Sequence, residues 1–485
     1  MSLQVLSVAS EVYPIIKTGG LADVAGALPG ALKGQGVTMK TLMPGYRDVE
    51  AKLGAGRTVA VFDDLLGVEA EVRAVRSGGL DLFVLHAPAL YDREGGPYLT
   101  ALGYDHPDNW HRFAALSLAG ARIAEGAIEG YAPDILHAHD WQAALAPVYL
   151  AFPKRKKKTV RTVLTIHNLA FQGNFAPTIF GRLGLADEAW SMDGVEFFNN
   201  VGFLKGGIYA SDRVTTVSPT YAREILTEEG GMGLGGLLRE RGEAVCGIVN
   251  GIDTGAWNSA DDAMLPATYD AATLDRRAVN RTALLEEMGL APTQGPIVSI
   301  VSRLTWQKGL DVVAEIAEAI VEKGASLIVV GTGDAQIEGA FQKLSVAHRD
   351  RIGVRIAYDE ALSHRVQAGA DAILIPSRFE PCGLTQLYGL RYGCIPLVAR
   401  VGGLADTVID ANYAARQAGC ANGIIFDDAS PQSILTAIDR LIEIYQTPGP
   451  WRAMQTAAMG SDVSWTASAE LYANLYRDLM KDDAR

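Results

Sequence analysis

Strands alternating with helices along the whole chain predict an α/β protein of two doubly wound, Rossmann-like domains facing a central cleft. Three observations carry that expectation. Short apolar runs rich in β-branched residues recur throughout, with helical patterns between them. The pentapeptide GGLAD occurs twice, at 19–23 and at 402–406, each time between an apolar run and a helical pattern. A chain of 485 residues is also too long for one core.

The elements follow in order. QVLSVASEV leads into the first GGLAD, after which Leu21, Val24, Ala25, Leu28 and Leu32 fall at helical spacing. Further strands are expected at 81–88, 134–139, 162–168, 213–219 and 244–253, with helices such as NWHRFAALSLAGARIAEGA between them. The second half repeats the pattern at 297–303, 326–334, 354–358 and 372–379. CIPLVAR then precedes the second GGLAD, with Leu404 and Val408 on its helix. Such alternation builds parallel sheets covered on both faces. The expected domains are 1–250 and 251–463, the polar stretch 254–296 opening the second as a linker and a helix. Residues 464–485 form an amphipathic helix expected to cross back onto the first domain.

Charge and composition exclude several classes. A net charge of −13 argues against nucleic acid as a partner, because phosphate backbones need a basic surface. No apolar run approaches the roughly 20 residues of a membrane span, and no leader pattern stands at the start, so a cytoplasmic protein is expected. The four cysteines show no CxxC spacing and read as reduced thiols. The KRKKK run at 154–158 reads as a solvated loop. GGMGLGG at 230–236 matches GxGxxG but follows a helix instead of a strand, which suggests a lid and not a dinucleotide site.

Chemistry concentrates where strands end, since ligands of open α/β sheets bind outside the carboxyl ends of the strands. In VSRLTWQKGLD, Arg303 ends a strand and Lys308 follows five residues on, a pair suited to clamping a diphosphate. In SRFEPCGLTQLYGLRYG, Glu380 stands at a turn before Gly383, with Pro381 suited to a first helical position. A carboxylate beside free amides can hold sugar hydroxyls; it can equally cap its own helix. Cys382 has no neighbouring histidine in sequence and reads as a packed residue, not a nucleophile. HAHDWQ puts His137 and His139 on one face of a strand, but no further ligands follow, so no metal site is expected. Asp140 and His167 end strands that point to the same cleft. Either GGLAD copy alone is explained by a tight turn, and Lys17 before the first copy favours a ligand there. No DxD triplet occurs, so the cations would have to neutralise a leaving diphosphate without a metal.

KTGGLADV, HAHDW, TIHN, SRLTWQKG and SRFEPCGLTQLYGLRYG, in that order, resemble the bacterial glycogen synthase and plant starch synthase family over essentially the whole chain. The resemblance implies a GT-B fold and retaining transfer of glucose from ADP-glucose to the non-reducing 4-hydroxyl of an α-1,4-glucan such as glycogen, releasing ADP. No cofactor, nucleic acid or membrane enters. It further implies that Lys17 and Gly20 contact the donor and that Arg303 and Lys308 bind the diphosphate. Glu380 would hold the glucosyl hydroxyls with the backbone of Gly383 and Leu384, and His167 would sit against the transferred sugar. Asp140 and Asn250 would line the sugar site, and Tyr358 would stack on adenine. Asp23, Tyr98, Cys382 and Thr385 complete the implied binding set. Related retaining enzymes often carry a second glutamate eight residues after the first, where this chain has Tyr388. Retention is expected through a same-face reaction, because no residue stands out as a nucleophile. The competing readings are a UDP-glucose enzyme, a phosphorylase carrying pyridoxal phosphate, and a non-catalytic glucan-binding scaffold.

Overall fold

The computed structural model describes residues 2–152 and 160–481. The KRKKK run lies outside the described residues. The chain divides into two compact units, Met1–Asn250 together with Trp465–Arg485, and Gly251–Ser464.

The first unit is built on β1 (Leu3–Val8), β2 (Val37–Pro44), β3 (Arg57–Phe62), β4 (Ala70–Ser77), β5 (Leu80–His86), β6 (Ile135–His139) and β7 (Arg161–Ile166). A short antiparallel sheet of β8 (Asn174–Phe175), β9 (Glu196–Phe197) and β10 (Asn200–Gly202) follows, then β11 (Arg213–Thr216) and β12 (Val245–Gly247). The main sheet runs β12-β11-β7-β6-β1-β2-β5-β4-β3. From β12 to β5 every pairing is parallel; β4 and β3 are antiparallel. The expected wholly parallel sheet is therefore corrected at one edge. A tight turn at Gly78 and Gly79, both with positive φ, sends β5 back along β4.

Central strands are buried on both faces. β6 has no exposed residue although two of its five are histidines. The Asn109–Ala124 helix lies close over β1 because it carries Gly120, where an added Cβ would come within 2.8 Å of Val8. Gly230 and Gly231 answer a similar need: a Cβ on Gly230 would meet the Glu224 carbonyl at 2.4 Å, and one on Gly231 the Thr227 carbonyl at 2.5 Å. That segment is packed against the end of the preceding helix, and Gln172 Nε2 donates to the Met232 carbonyl at 3.0 Å.

The helix Thr466–Lys481 belongs to the first unit. Its Trp465, Ala469, Tyr472, Tyr476 and Leu479 stripe, at helical spacing, buries against Val5, Leu28, Val163 and Ile248. Tyr476 also hydrogen-bonds His137 of β6.

The second unit holds β13 (Ile297–Val301), β14 (Ser326–Val330), β15 (Ile352–Arg355), β16 (Ala372–Ile375), β17 (Ile395–Ala399) and β18 (Ile424–Phe426). All pairings are parallel, in the order β15-β14-β13-β16-β17-β18. The start of 254–296 is not the loose linker its polarity suggests. Trp257 stacks between His364 and Tyr388 at 3.8 and 3.7 Å, and buried Asp262 accepts from the Tyr392 hydroxyl at 2.6 Å. The polar residues are there to satisfy one another inside the unit.

Tyr472 is fully buried in the helix-to-sheet core. Tyr472→Ala should cost about 3–5 kcal/mol, the usual range for an aromatic truncated in a packed core. Denaturant unfolding checks this; a loss under about 1 kcal/mol would mean that the C-terminal helix adds little to that core.

Candidate active site

In the first unit, the loop after β1 is organised by Glu11, only 2% exposed. Its carboxylate accepts from the Thr18 hydroxyl at 2.6 Å, and from the Thr18 amide and the Tyr98 hydroxyl through shorter contacts. The Tyr98 hydroxyl also meets Ser10 Oγ at 2.8 Å. Burial first, then the Glu11 charge, pushes the Tyr98 phenol well above its ordinary range, so it stays a donor. Asn109 holds the Tyr98 carbonyl at 3.0 Å, and buried Arg112 ties down Asn109, Leu90 and Pro97. The loop delivers Lys17, whose ammonium pairs with Asp23 at 2.8 Å, to the start of the Gly20–Lys33 helix.

At the carboxyl end of β6, Asp140 adopts a left-handed backbone with φ 53, unusual for a residue with a side chain. The turn aims its carboxylate at the chain leaving β7, where it accepts from the His167 amide at 2.6 Å and the Asn168 amide at 3.4 Å. Burial raises its pKa to about 7; the two amides act the other way, and the Glu11 charge adds to the rise. His139 Nδ1 lies 3.0 Å from His167 Nε2. Both imidazoles are held neutral, since burial lowers both, His139 to about 3. Asn250 is buried and its Oδ1 has no partner among the described residues.

In the second unit, Lys308 Nζ pairs with Glu380 Oε2 at 2.5 Å, and Ser377 Oγ donates to the same oxygen at 2.9 Å. The two side chains are 17% and 7% exposed. Neighbouring contacts fix the geometry. Arg378 forks onto Asp311 at 2.7 and 2.8 Å, its amide donates to the Gln307 carbonyl, and Gln307 Nε2 reaches the Phe379 carbonyl. Gly309, at φ 68, lets the Lys308 turn approach the Pro376 carbonyl, which an added Cβ would meet at 2.0 Å. Arg303 lies just past β13, exposed, with no side-chain partner among the described residues.

The Glu380 loop differs from expectation. Pro381 does not open a helix; the helix begins at Thr385, with Leu384 before it and Gly383 at φ 72. Glu380 therefore caps nothing and is free to serve the lysine. Cys382 is buried beside it. Tyr358 is exposed at the entrance to the Glu360–Gly369 helix, its hydroxyl 3.4 Å from Glu360. Tyr388 is occupied by its stack on Trp257. Among the described residues no three histidines, cysteines or acids gather as a metal cluster would require, and no helix is long and apolar enough to cross a membrane.

Within the first unit the structure thus gathers Lys17, Gly20, Asp23 and Tyr98 around the Glu11 loop, with Asp140 and His167 together beside β6 and β7. Within the second it joins Lys308 to Glu380 and puts Cys382, Gly383, Leu384 and Thr385 in the same turn. Sequence reasoning missed Glu11, Thr18, Ser377 and the Arg378–Asp311 fork. Glu11 did carry a signal, an acid standing at the end of a buried strand in SEVYP.

The Asp140 shift has a stability consequence with a definite sign. A carboxyl whose folded pKa lies above its unfolded value of about 3.9 favours folding when protonated, and this advantage fades as pH rises towards 7. Asp140→Asn keeps an acceptor for the two amides but cannot ionise. Its stability relative to wild type should rise between pH 4 and 7 by a few kcal/mol and stay level above. Melting curves across that range check it; a constant difference would show that Asp140 ionises freely in the folded protein.

A starch synthase catalytic domain matches residues 4–240, and a group 1 glycosyl transferase domain matches residues 285–453. Glycogen synthase of Rhizobium rhizogenes is 54% identical over 99% of this chain and 100% of its own. Glycogen synthase of Mesorhizobium japonicum is 54% identical over 99% of both. The catalytic domain of starch synthase IV from Arabidopsis thaliana, solved bound to ADP and acarbose, superposes with a TM-score of 0.87 at 31% identity, covering 99% of this chain and 100% of that one. Glycogen and starch synthases are glycosyltransferases built of two Rossmann-like domains, and this chain belongs to their family.

Proposed function

We propose that the chain uses ADP-glucose as donor and extends the non-reducing 4-hydroxyl of an α-1,4-glucan with retention, releasing ADP. The observation that carries this reading is the Lys308–Glu380 pair with Arg303 nearby in sequence and unpartnered among the described residues. A free guanidinium and a lysine suit a diphosphate, while the carboxylate suits sugar hydroxyls. The plant relative of 31% identity, solved with ADP and acarbose, supports the same pairing of nucleotide and glucan.

The roles follow from the chemistry. Arg303 and Lys308 take the charge that develops on the diphosphate as the glycosidic bond breaks. Glu380 accepts from glucosyl hydroxyls, aided by the amides of Gly383 and Leu384, with Cys382 and Thr385 shaping the turn. His167, Asp140, Asn250 and Tyr98 hold the sugar; Lys17, Gly20 and Asp23 meet the donor; Tyr358 stacks on adenine. A carboxylate already paired with an ammonium at 2.5 Å is a poor nucleophile, which favours a same-face reaction. In it the departing phosphate oxygen takes the proton of the acceptor hydroxyl, and the protein supplies alignment and charge. Among the described residues none of the four cysteines forms a disulfide, which agrees with work in the reducing cytoplasm.

Labelled glucose should enter glycogen from ADP-glucose in clear preference to UDP-glucose; the reverse preference would overturn the donor assignment. Arg303→Ala and Lys308→Ala should each lower kcat by about 10²–10³. Stability separates them: Arg303→Ala should melt within about 0.5 kcal/mol of wild type. Lys308→Ala should lose about 3–5 kcal/mol by stranding the Glu380 charge. Near-normal kcat in both variants would remove the diphosphate clamp.

A further inference from the structure

We infer that His139 is a positioning residue that fixes the tautomer of His167, keeping the His167 proton on Nδ1 so that the ring offers the transferred sugar an N–H donor. The role of His167 against the sugar rests on the proposed glucosyl transfer; the tautomer itself does not.

Two neutral imidazoles that meet through one nitrogen each, 3.0 Å apart, share a single proton between them. Either His139 Nδ1 donates to His167 Nε2, or His167 Nε2 donates to His139 Nδ1. The rest of His139 decides which. Its ring is fully buried at the end of β6, and its Nε2 has no partner among the described residues. If His139 carried its proton on Nε2, a buried N–H would stand without an acceptor. If it carries the proton on Nδ1, only a lone pair is left over. Orphaned buried donors are rarer than under-used acceptors, because an N–H stripped of water and left unbonded loses its full hydration. His139 therefore donates, His167 Nε2 accepts, and the His167 proton sits on Nδ1.

The ring of His139 is also denied freedom to turn. His137 lies against it, centroids 4.2 Å apart, and His137 is itself pinned at both nitrogens, by the Tyr476 hydroxyl at 2.8 Å and Thr165 Oγ1 at 2.6 Å. Thr165 continues to Thr215 Oγ1 at 2.6 Å. The row from the C-terminal helix through His137 to His139 thus holds the donor aimed at His167. His167 is half-buried, and its Nδ1 has no hydrogen-bond partner among the described residues. In this state the ring can donate to a sugar oxygen and cannot take a proton at that nitrogen.

Nitrogen NMR of the whole protein labelled at the histidine rings tests this without substrate, the signals being assigned with His139→Asn and His139→Leu. The expected spectrum shows His167 with a pyrrole-type Nδ1 and a pyridine-type Nε2. His139→Asn, whose amide N–H can stand where Nδ1–H stood, should keep that spectrum and most of the turnover. His139→Leu should give mixed His167 tautomers and lower kcat on the order of tenfold, the scale of one net hydrogen bond, with KM for glycogen unchanged. A proton on His167 Nε2 in the wild type overturns the inference, whether or not the leucine variant folds. Equal losses in both variants with an unaltered His167 spectrum overturn it too. The spectrum stands even if ADP-glucose proves not to be the donor, so the two readings fail separately.

Discussion

Glu380 and Lys308 form an ion pair mostly withdrawn from water, and much of the second unit is arranged to keep it. Breaking such a pair leaves a charge with neither partner nor solvent, a loss of about 3–5 kcal/mol. The Arg378–Asp311 fork and the Gln307–Phe379 contact lock the two turns that carry the partners. Lysine and glutamate stand 72 positions apart in the chain, so the pairing is made by the sheet, which brings the ends of β13 and β16 side by side. A ligand that takes over either charge inherits a site whose geometry is already fixed, which is the condition under which electrostatic stabilisation costs no reorganisation.

The first unit buries its acids differently. Glu11 has hydroxyls and an amide for partners, and Asp140 has two amides. Neutral donors satisfy a carboxylate without cancelling its charge. Burial without a countercharge raises the Asp140 pKa to about 7, and burial holds His139 and His167 neutral. The second unit therefore presents a fixed ion pair, and the first presents directed hydrogen bonds from neutral donors.

The strands most legible in sequence were those buried on both faces, such as IVSIV and SLIVV, because burial favours apolar residues over most of their length. β3 and β4 escaped for the opposite reason: near the edge of the sheet they carry charged residues, Arg57 and Arg76 exposed and Glu71 and Arg73 half-buried in ion pairs. Residues that end strands stand out, since a charged or aromatic group following an apolar run has little structural excuse; Asp140, His167 and Glu380 are candidates on this ground. Partnerships were not legible. Nothing local in the sequence says that Tyr98 belongs to Glu11, or Arg378 to Asp311. The polarity of 254–262 misled because a buried polar network looks, residue by residue, like a solvated loop.

The repeated pentapeptide shows how far identical words can diverge once they are folded. In the first copy, Gly19 is extended and a Cβ there would meet nothing within 4 Å; the helix it opens runs for fourteen residues. Space there is open, so the glycine is not demanded by packing. In the second copy, Gly402 stands at φ 41 and a Cβ would lie 1.9 Å from the Glu380 carbonyl, while one on Gly403 would meet the Cys382 carbonyl at 2.2 Å. The Gly403 amide donates to the Glu380 carbonyl at 3.1 Å. Those glycines exist so that the Glu380 turn can lie flat against another backbone. The second GGLAD thus serves the glutamate that serves the lysine, and the first leaves its amides uncovered at the start of a long helix. What a glycine does is set by what stands opposite it, which no pentapeptide records.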